Sequence, residues 1–274
     1  MDDLRHLTKN RLALTAIGHS PSAGRWRTEA MRSHQTPRLI YFNKGQGRIT
    51  VAGLTSGFGP NNLIFIPART MYGFEAGPTV FGQMLTIPDA MSMEWPEEPV
   101  HLRLRDVVAQ KELATLFDGL ERELTSDRTA HSRAAHYQLG LLAVYFERQL
   151  EARSDDISTR GESASARLVA AYTDLVERDF REHKGVAEFA RDLGVTPTHL
   201  TRCCRQTCGR SALSILTDRV IYEARLLLRE TKTPVGQIAK SLGYASPAYF
   251  TRAFQSQTGM TPTAFRARGP LGPM

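Results

Sequence analysis

The chain has 274 residues, 41% hydrophobic and 23% charged, which is enough for two domains that each bury a core. No run of eighteen apolar residues is present, so a membrane-spanning helix is excluded. The acidic start Met1-Asp2-Asp3-Leu4-Arg5 lacks the basic-then-apolar order of a secretory signal, and the three cysteines all fall between Cys203 and Cys208, so a cytoplasmic protein without a disulfide framework is expected.

The net charge of +7 is unevenly placed. Residues 1–164 hold 19 Lys+Arg against 19 Asp+Glu, whereas residues 165–274 hold 16 against 9. A neutral front joined to a basic back predicts that the back half meets a polyanion.

Residues 10–88 read as β structure. Leu12–Ile17, Arg38–Phe42, Arg48–Val51, Leu63–Ile66 and Val80–Leu85 are short apolar or alternating runs. Lys44-Gly45-Gln46-Gly47, Gly57–Asn62 and Ala76-Gly77-Pro78 supply the turn signals between them. Short strands at this spacing predict a small sandwich or barrel over residues 1–105. From Asp106 the period becomes helical: Leu113, Leu116, Phe117, Leu120 and Leu124 follow i, i+3, i+4, i+7, i+11. A second helix over about 129–153 carries Tyr137, Leu141, Val144, Tyr145 and Leu150 as apolar positions. Helices 106–153 either pack on the sheets or pair with a second subunit. Residues 154–163 are polar, charged and aperiodic, and read as a linker.

The remaining 164–268 contain one device written twice. Leu193-Gly194-Val195-Thr196-Pro197-Thr198-His199-Leu200-Thr201-Arg202 aligns with Leu242-Gly243-Tyr244-Ala245-Ser246-Pro247-Ala248-Tyr249-Phe250-Thr251-Arg252. In each copy a helix ends at Leu-Gly, where glycine permits the left-handed conformation that stops it. Thr196 or Ser246 then caps a second helix that opens on proline. Helix, glycine turn and second helix form the helix-turn-helix pattern, whose second helix lies in the DNA major groove.

In the first reading helix Thr198, Thr201, Arg202 and Arg205 share an outward face, opposite Leu200, Cys203, Cys204 and Thr207. In the second, Ala248, Thr251, Arg252 and Gln255 lie opposite Phe250, Ala253 and Phe254. Arginine matches the acceptor pair of guanine, glutamine matches adenine, and threonine suits a thymine methyl or a phosphate. With the caps Thr196 and Ser246 and with Pro247, these residues form the expected DNA-contacting set. If both helices enter one side of the duplex, their centres should lie about 34 Å, roughly 10 bp, apart.

On these residues, Gly185 to Arg266 resembles the DNA-binding domain of the AraC/XylS family of bacterial transcription regulators. The match covers about a third of the chain and is densest over Ile238–Phe254, Thr258–Pro262 and Phe265-Arg266. The resemblance carries the family's base-reading positions onto Thr198, Thr201 and Arg202, and onto Pro247, Ala248, Thr251 and Arg252. Cys204 departs from the pattern, standing where the family has an aromatic and where the repeat has Phe254. Val195–Arg202 and Thr217-Asp218-Arg219 are similar to the branch that regulates aromatic-acid catabolism, which implies an aromatic acid as effector. The family also implies activation through RNA polymerase; a homodimer would come from pairing of the helices over 106–153.

The fold expected overall is α+β: an N-terminal cupin-like β-barrel sensor with a helical extension, then an all-α domain with two helix-turn-helix motifs. Arg25, His34, Arg38, Tyr41 and Tyr72 are the candidate effector ligands, the arginines suiting a carboxylate. A metal-dependent cupin needs clustered His and Glu ligands. Here His34 stands alone and Tyr72 occupies the place of a second histidine, so no metal, cofactor or catalytic residue is expected. The alternatives are a metal-dependent cupin enzyme with a DNA-binding tail, and a DNA binder that responds to no ligand.

Overall fold

A computed structural model describes residues 11–18, 26–153 and 163–269. Its front half holds two antiparallel sheets. The larger is built from β1 (Ala13–Ile17), β2 (Arg38–Lys44), β5 (Asn62–Ile66), β7 (Phe81–Thr86) and β8 (Val100–Arg103), in the order β1-β7-β2-β5-β8. The smaller holds β3 (Gly47–Val51), β4 (Leu54–Phe58) and β6 (Tyr72–Ala76), in the order β4-β3-β6. Strand pairing leaves the two sheets separate, so the expected barrel is present as two layers rather than a closed ring. Ala52 and Gly53 both take positive φ (47° and 75°), and Val51 pairs with Leu54. Two central residues with positive φ match the twist of flanking strands, which is why so short a loop suffices.

Side-chain alternation sorts the core. Leu39, Tyr41, Leu63, Phe65 and Leu85 pack on one side with Phe117, Leu139 and Phe146. Ile40, Phe42, Ile64, Ile66 and Met84 pack on the other with Ile49, Phe58 and Phe74 of the smaller sheet. The central strands are therefore buried on both faces and read as continuous apolar runs rather than alternating ones. The covering helices follow a four-residue helix α1 (Trp26–Glu29) and are α2 (Val107–Leu124) and α3 (His131–Arg153). Asp106 caps α2 by accepting from Ala109 N at 2.8 Å. Helix α3 buries Ala135, Leu139, Leu142 and Phe146, and leaves Tyr137, Leu141 and Val144 in solvent.

The back half is helical: α4 (Ala164–Asp179) with a 3-10 turn over Phe180–Glu182, α5 (Val186–Asp192), α6 (Pro197–Cys208), α7 (Ala212–Glu230), α8 (Val235–Ser241), α9 (Pro247–Thr258) and α10 (Pro262–Ala267). Val176, Phe189, Leu200, Cys204, Ile221, Leu228, Phe250 and Phe254 share one core. Helix α7 joins the two motifs and is fixed to α4 by a buried ion network. Arg219 donates to Glu177 Oε2 (2.6 Å) and Glu223 Oε2 (3.0 Å), with its guanidinium 3.9 Å from the Phe180 ring centre. Burial opposes the charge on Arg219, but the bond to Glu177 and the two carboxylates outweigh it and raise its pKa.

The halves touch. Met31 and Met71 join the helical core, Gly53 lies against Val169, and Arg210 donates to Glu29 O at 2.9 Å while pairing with Asp218. No helix among the described residues is long and apolar enough to cross a membrane.

Candidate nucleic-acid interface and sensor residues

Each motif is built from local chemistry. Gly194 and Gly243 take φ of 68° and 78°, ending α5 and α8 as left-handed glycines do. Thr196 Oγ1 accepts from His199 N and Ser246 Oγ from Tyr249 N, both at 3.2 Å, and Pro197 and Pro247 open the following helices. These bonds satisfy an amide that a helix start leaves free, so the two cap hydroxyls position α6 and α9.

The buried faces are those the repeat predicts. Leu200, Cys204, Phe250 and Phe254 are fully buried and Cys203 nearly so, while Thr207 and Ala253 are only half-buried. On the opposite faces Thr198, Arg202, Arg205, Pro247, Ala248, Arg252 and Gln255 are exposed, and Thr201 and Thr251 are intermediate. The structure thus brings the predicted contact residues onto two solvent-facing helix surfaces. The motifs are not equal in detail. Arg202 Nη2 lies 2.9 Å from His199 Nδ1, whereas Arg252 has no hydrogen-bond partner among the described residues. Thr251 Oγ1 donates to Pro247 O at 2.9 Å. His199 and the half-exposed Tyr249 occupy equivalent places beside the reading face. The spacing rule for outward residues passed over both, although their offset of three from each arginine was visible.

Cys204 fills the place of the aromatic Phe254 and is buried to the same degree. Burial, followed by Cys208 and Cys203, pushes its pKa up to about 12, and burial raises that of Cys208. A thiol held protonated is a poor nucleophile, so these cysteines serve as core.

The sensor candidates divide. Arg25 lies outside the described residues. His34, Arg38 and Tyr72 gather at one end of the sheets: the His34 and Tyr72 rings are 5.8 Å apart, and Tyr72 is fully buried with its hydroxyl 3.3 Å from Met84 Sδ. Arg38 is buried, its Nη1 donating to Thr36 Oγ1 at 2.6 Å. Tyr41 sits on the opposite face of β2, 5.1 Å from the Phe117 ring and donating to Asn61 Oδ1 at 3.2 Å. Unanticipated was Arg32, fully buried with its guanidinium 4.5 Å from the Tyr72 ring centre. No group of three His, Cys, Asp or Glu among the described residues is placed to hold a metal ion.

Residues 189–268 match the family model described as a helix-turn-helix domain. The arabinose operon regulatory protein of Salmonella typhimurium is 35% identical over 85 residues, which are 31% of this chain and 30% of that protein. The transcriptional activator RhaR of Klebsiella pneumoniae is 25% identical over 208 residues, 76% of this chain and 68% of that one. The chain thus spans about 30% of the length of the arabinose regulator. The solved structure of ToxT from Vibrio cholerae aligns over 94% of this chain and 96% of its own, with a TM-score of 0.44 at 12% identity.

Proposed function

We propose that the chain is a member of the AraC/XylS family of transcription regulators, which its helix-turn-helix half resembles, and that the whole protein is a cytoplasmic, effector-responsive activator that reads promoter DNA with both motifs. The observation that carries this reading is the pair of exposed faces, Thr198-Arg202-Arg205 and Ala248-Arg252-Gln255, each on a helix fixed by a glycine turn and a hydroxyl cap. Arg202 and Arg252 are the principal base readers, Thr198, Thr201, Arg205, Pro247, Ala248, Thr251 and Gln255 complete the contact, and Thr196 and Ser246 position the helix starts.

Residues 164–268 act as the DNA-binding domain, 1–105 as a cupin-like sensor, 106–153 as the helical extension and 154–163 as the linker. The sensor holds a small organic effector near His34, Arg38 and Tyr72. Because the front half touches α4 at Gly53 and joins the helical core through Met31 and the Glu29–Arg210 bond, an effector bound there biases the arrangement of the reading helices by population shift. Tyr137, Leu141 and Val144 lie in solvent at i, i+4 and i+7 of α3, an apolar stripe suited to a second copy of the chain. Activation then proceeds through contact with RNA polymerase.

Footprinting of the full chain on genomic fragments tests the reading. Two protected segments about 10 bp apart per protomer, on one side of the duplex, are expected. One segment alone, or protection independent of sequence, contradicts it.

A further inference from the structure

The two reading helices differ beside their arginines. Three residues before each arginine, α6 carries His199 and α9 carries Tyr249. Residues three apart lie on one side of a helix, so either side chain is placed to reach its arginine. His199 does reach it: Arg202 Nη2 is 2.9 Å from His199 Nδ1. A guanidinium has N–H donors and no acceptor, so Arg202 donates and Nδ1 accepts. The ring hydrogen then sits on Nε2, which donates to the buried Cys203 Sγ at 3.6 Å. Both ring nitrogens are occupied, and the half-buried imidazole is anchored to the inner face of its own helix. Tyr249 behaves differently. Its ring lies 5.7 Å from that of Tyr244 and 6.4 Å from that of His183, in an aromatic cluster at the turn before α9. Arg252 has no hydrogen-bond partner among the described residues.

An arginine loses the rotamer freedom of a long side chain when it settles on a base. Arg202 has given up part of that freedom before DNA arrives. The bond to the imidazole takes one of the five guanidinium donors, which leaves enough for the acceptor pair of guanine. A fork fixed in advance favours the base whose acceptors match its orientation, because it cannot turn to seek another base or a phosphate.

We propose that His199 is a positioning residue for base reading by the first motif: its Nδ1 holds the Arg202 guanidinium on the outward face of α6, and the first DNA segment owes part of its base preference to that bond. This rests on the reading of Arg202 as a base reader and adds the residue that orients it. The second motif has no such brace, since Tyr249 is engaged with Tyr244 and His183.

The test uses the full-length chain, a duplex that it selects from random sequence, and single-base variants of that duplex in each segment. His199→Ala should lower base preference at the first segment roughly two- to tenfold, the range expected when one long side chain must be immobilised afresh. Preference at the second segment should stay unchanged, and the melting temperature should not fall. His199→Asn, whose side-chain oxygen stands near the place of Nδ1, should restore most of the lost preference. Adding His199→Ala to Arg202→Ala should cost nothing more, because the brace has nothing left to hold. Undiminished preference in His199→Ala overturns the proposal, as does no recovery in His199→Asn or an equal loss at both segments. A further loss in the double variant also overturns it, since His199 would then be a DNA contact in its own right. The reading of Arg202 fails separately: preference at the first segment that survives Arg202→Ala refutes base reading by that arginine. Preference lost in Arg202→Ala and kept in His199→Ala refutes only the brace.

Discussion

Gly194 and Gly243 hold the same place in the two motifs and the same left-handed backbone, yet alanine should affect them unequally. A Cβ at Gly194 meets nothing within 4 Å. At Gly243 it falls 2.6 Å from Arg181 O, 2.7 Å from His183 Cβ and 2.8 Å from His183 N. The left-handed conformation costs alanine about 1–2 kcal/mol. Reduced freedom of the unfolded chain offsets about 0.4–1 kcal/mol of that. Gly194→Ala should therefore lose about 1 kcal/mol, or roughly 4–8 °C of melting temperature for a helical domain of this size. Gly243→Ala adds overlap with backbone that cannot rotate away, another ~1–3 kcal/mol. It should thus lose at least twice as much. The crowding arises because the second turn packs on residues 181–183 beside α4, the contact that seats the second motif. Melting of both full-length variants by circular dichroism measures the difference. Equal losses, or a larger loss at Gly194, would refute this account of how the second motif is held.

Arg202→Ala and Arg252→Ala should each cost about 1–3 kcal/mol on the preferred duplex and relax base preference at one segment only, which binding to single-base variants of the site reads out. Uniform loss on every sequence would make them phosphate anchors instead. Glu177→Ala leaves buried Arg219 short of its nearest acceptor and should cost ~3–5 kcal/mol in urea unfolding. Glu75→Ala, which frees the exposed Arg48, should cost under ~1 kcal/mol, and similar values for the two would contradict the network's role. Hydrogen bonds from Arg178 and then Lys184 hold the Asp179 carboxyl well below the usual carboxylate range. A depressed folded pKa means that its stabilisation is fully present above the unfolded value of about 3.9 and is lost as pH falls below it toward the folded value. Thermal melts from pH 7 down to about 2 should show this loss in the wild type below the unfolded value and a shallower acid limb in Asp179→Asn; identical limbs would argue against it.

The DNA-binding half was legible because its signals are local. A glycine that stops a helix, a hydroxyl that caps the next and a proline that opens it need no tertiary context. The sheets were legible only in part. Strands β4, β6 and β8 escaped notice because Thr-Ser-Gly, Tyr-Gly-Phe-Glu and Val-His-Leu-Arg are short, interrupted by glycine or charge, and strands only through their neighbours. The face taken by Tyr41 was not readable either. Leu39, Ile40, Tyr41 and Phe42 are all buried, so no alternation says which pair looks toward the smaller sheet. On α3 the apolar positions lie on two sides, and only packing shows that Leu139, Leu142 and Phe146 turn inward while Tyr137, Leu141 and Val144 turn out. Arg32 gave no sign at all, since an arginine in a polar stretch normally faces water; its burial comes from pairing with Tyr72 and from α7 closing over it.

Selection from random duplexes by the full-length protein at physiological ionic strength separates base reading by the two helices from simple attraction to phosphate. Two enriched base patterns separated by one helical turn are predicted, the first degrading in Arg202→Ala and the second in Arg252→Ala. Enrichment of no pattern, with every duplex held equally well, would contradict it.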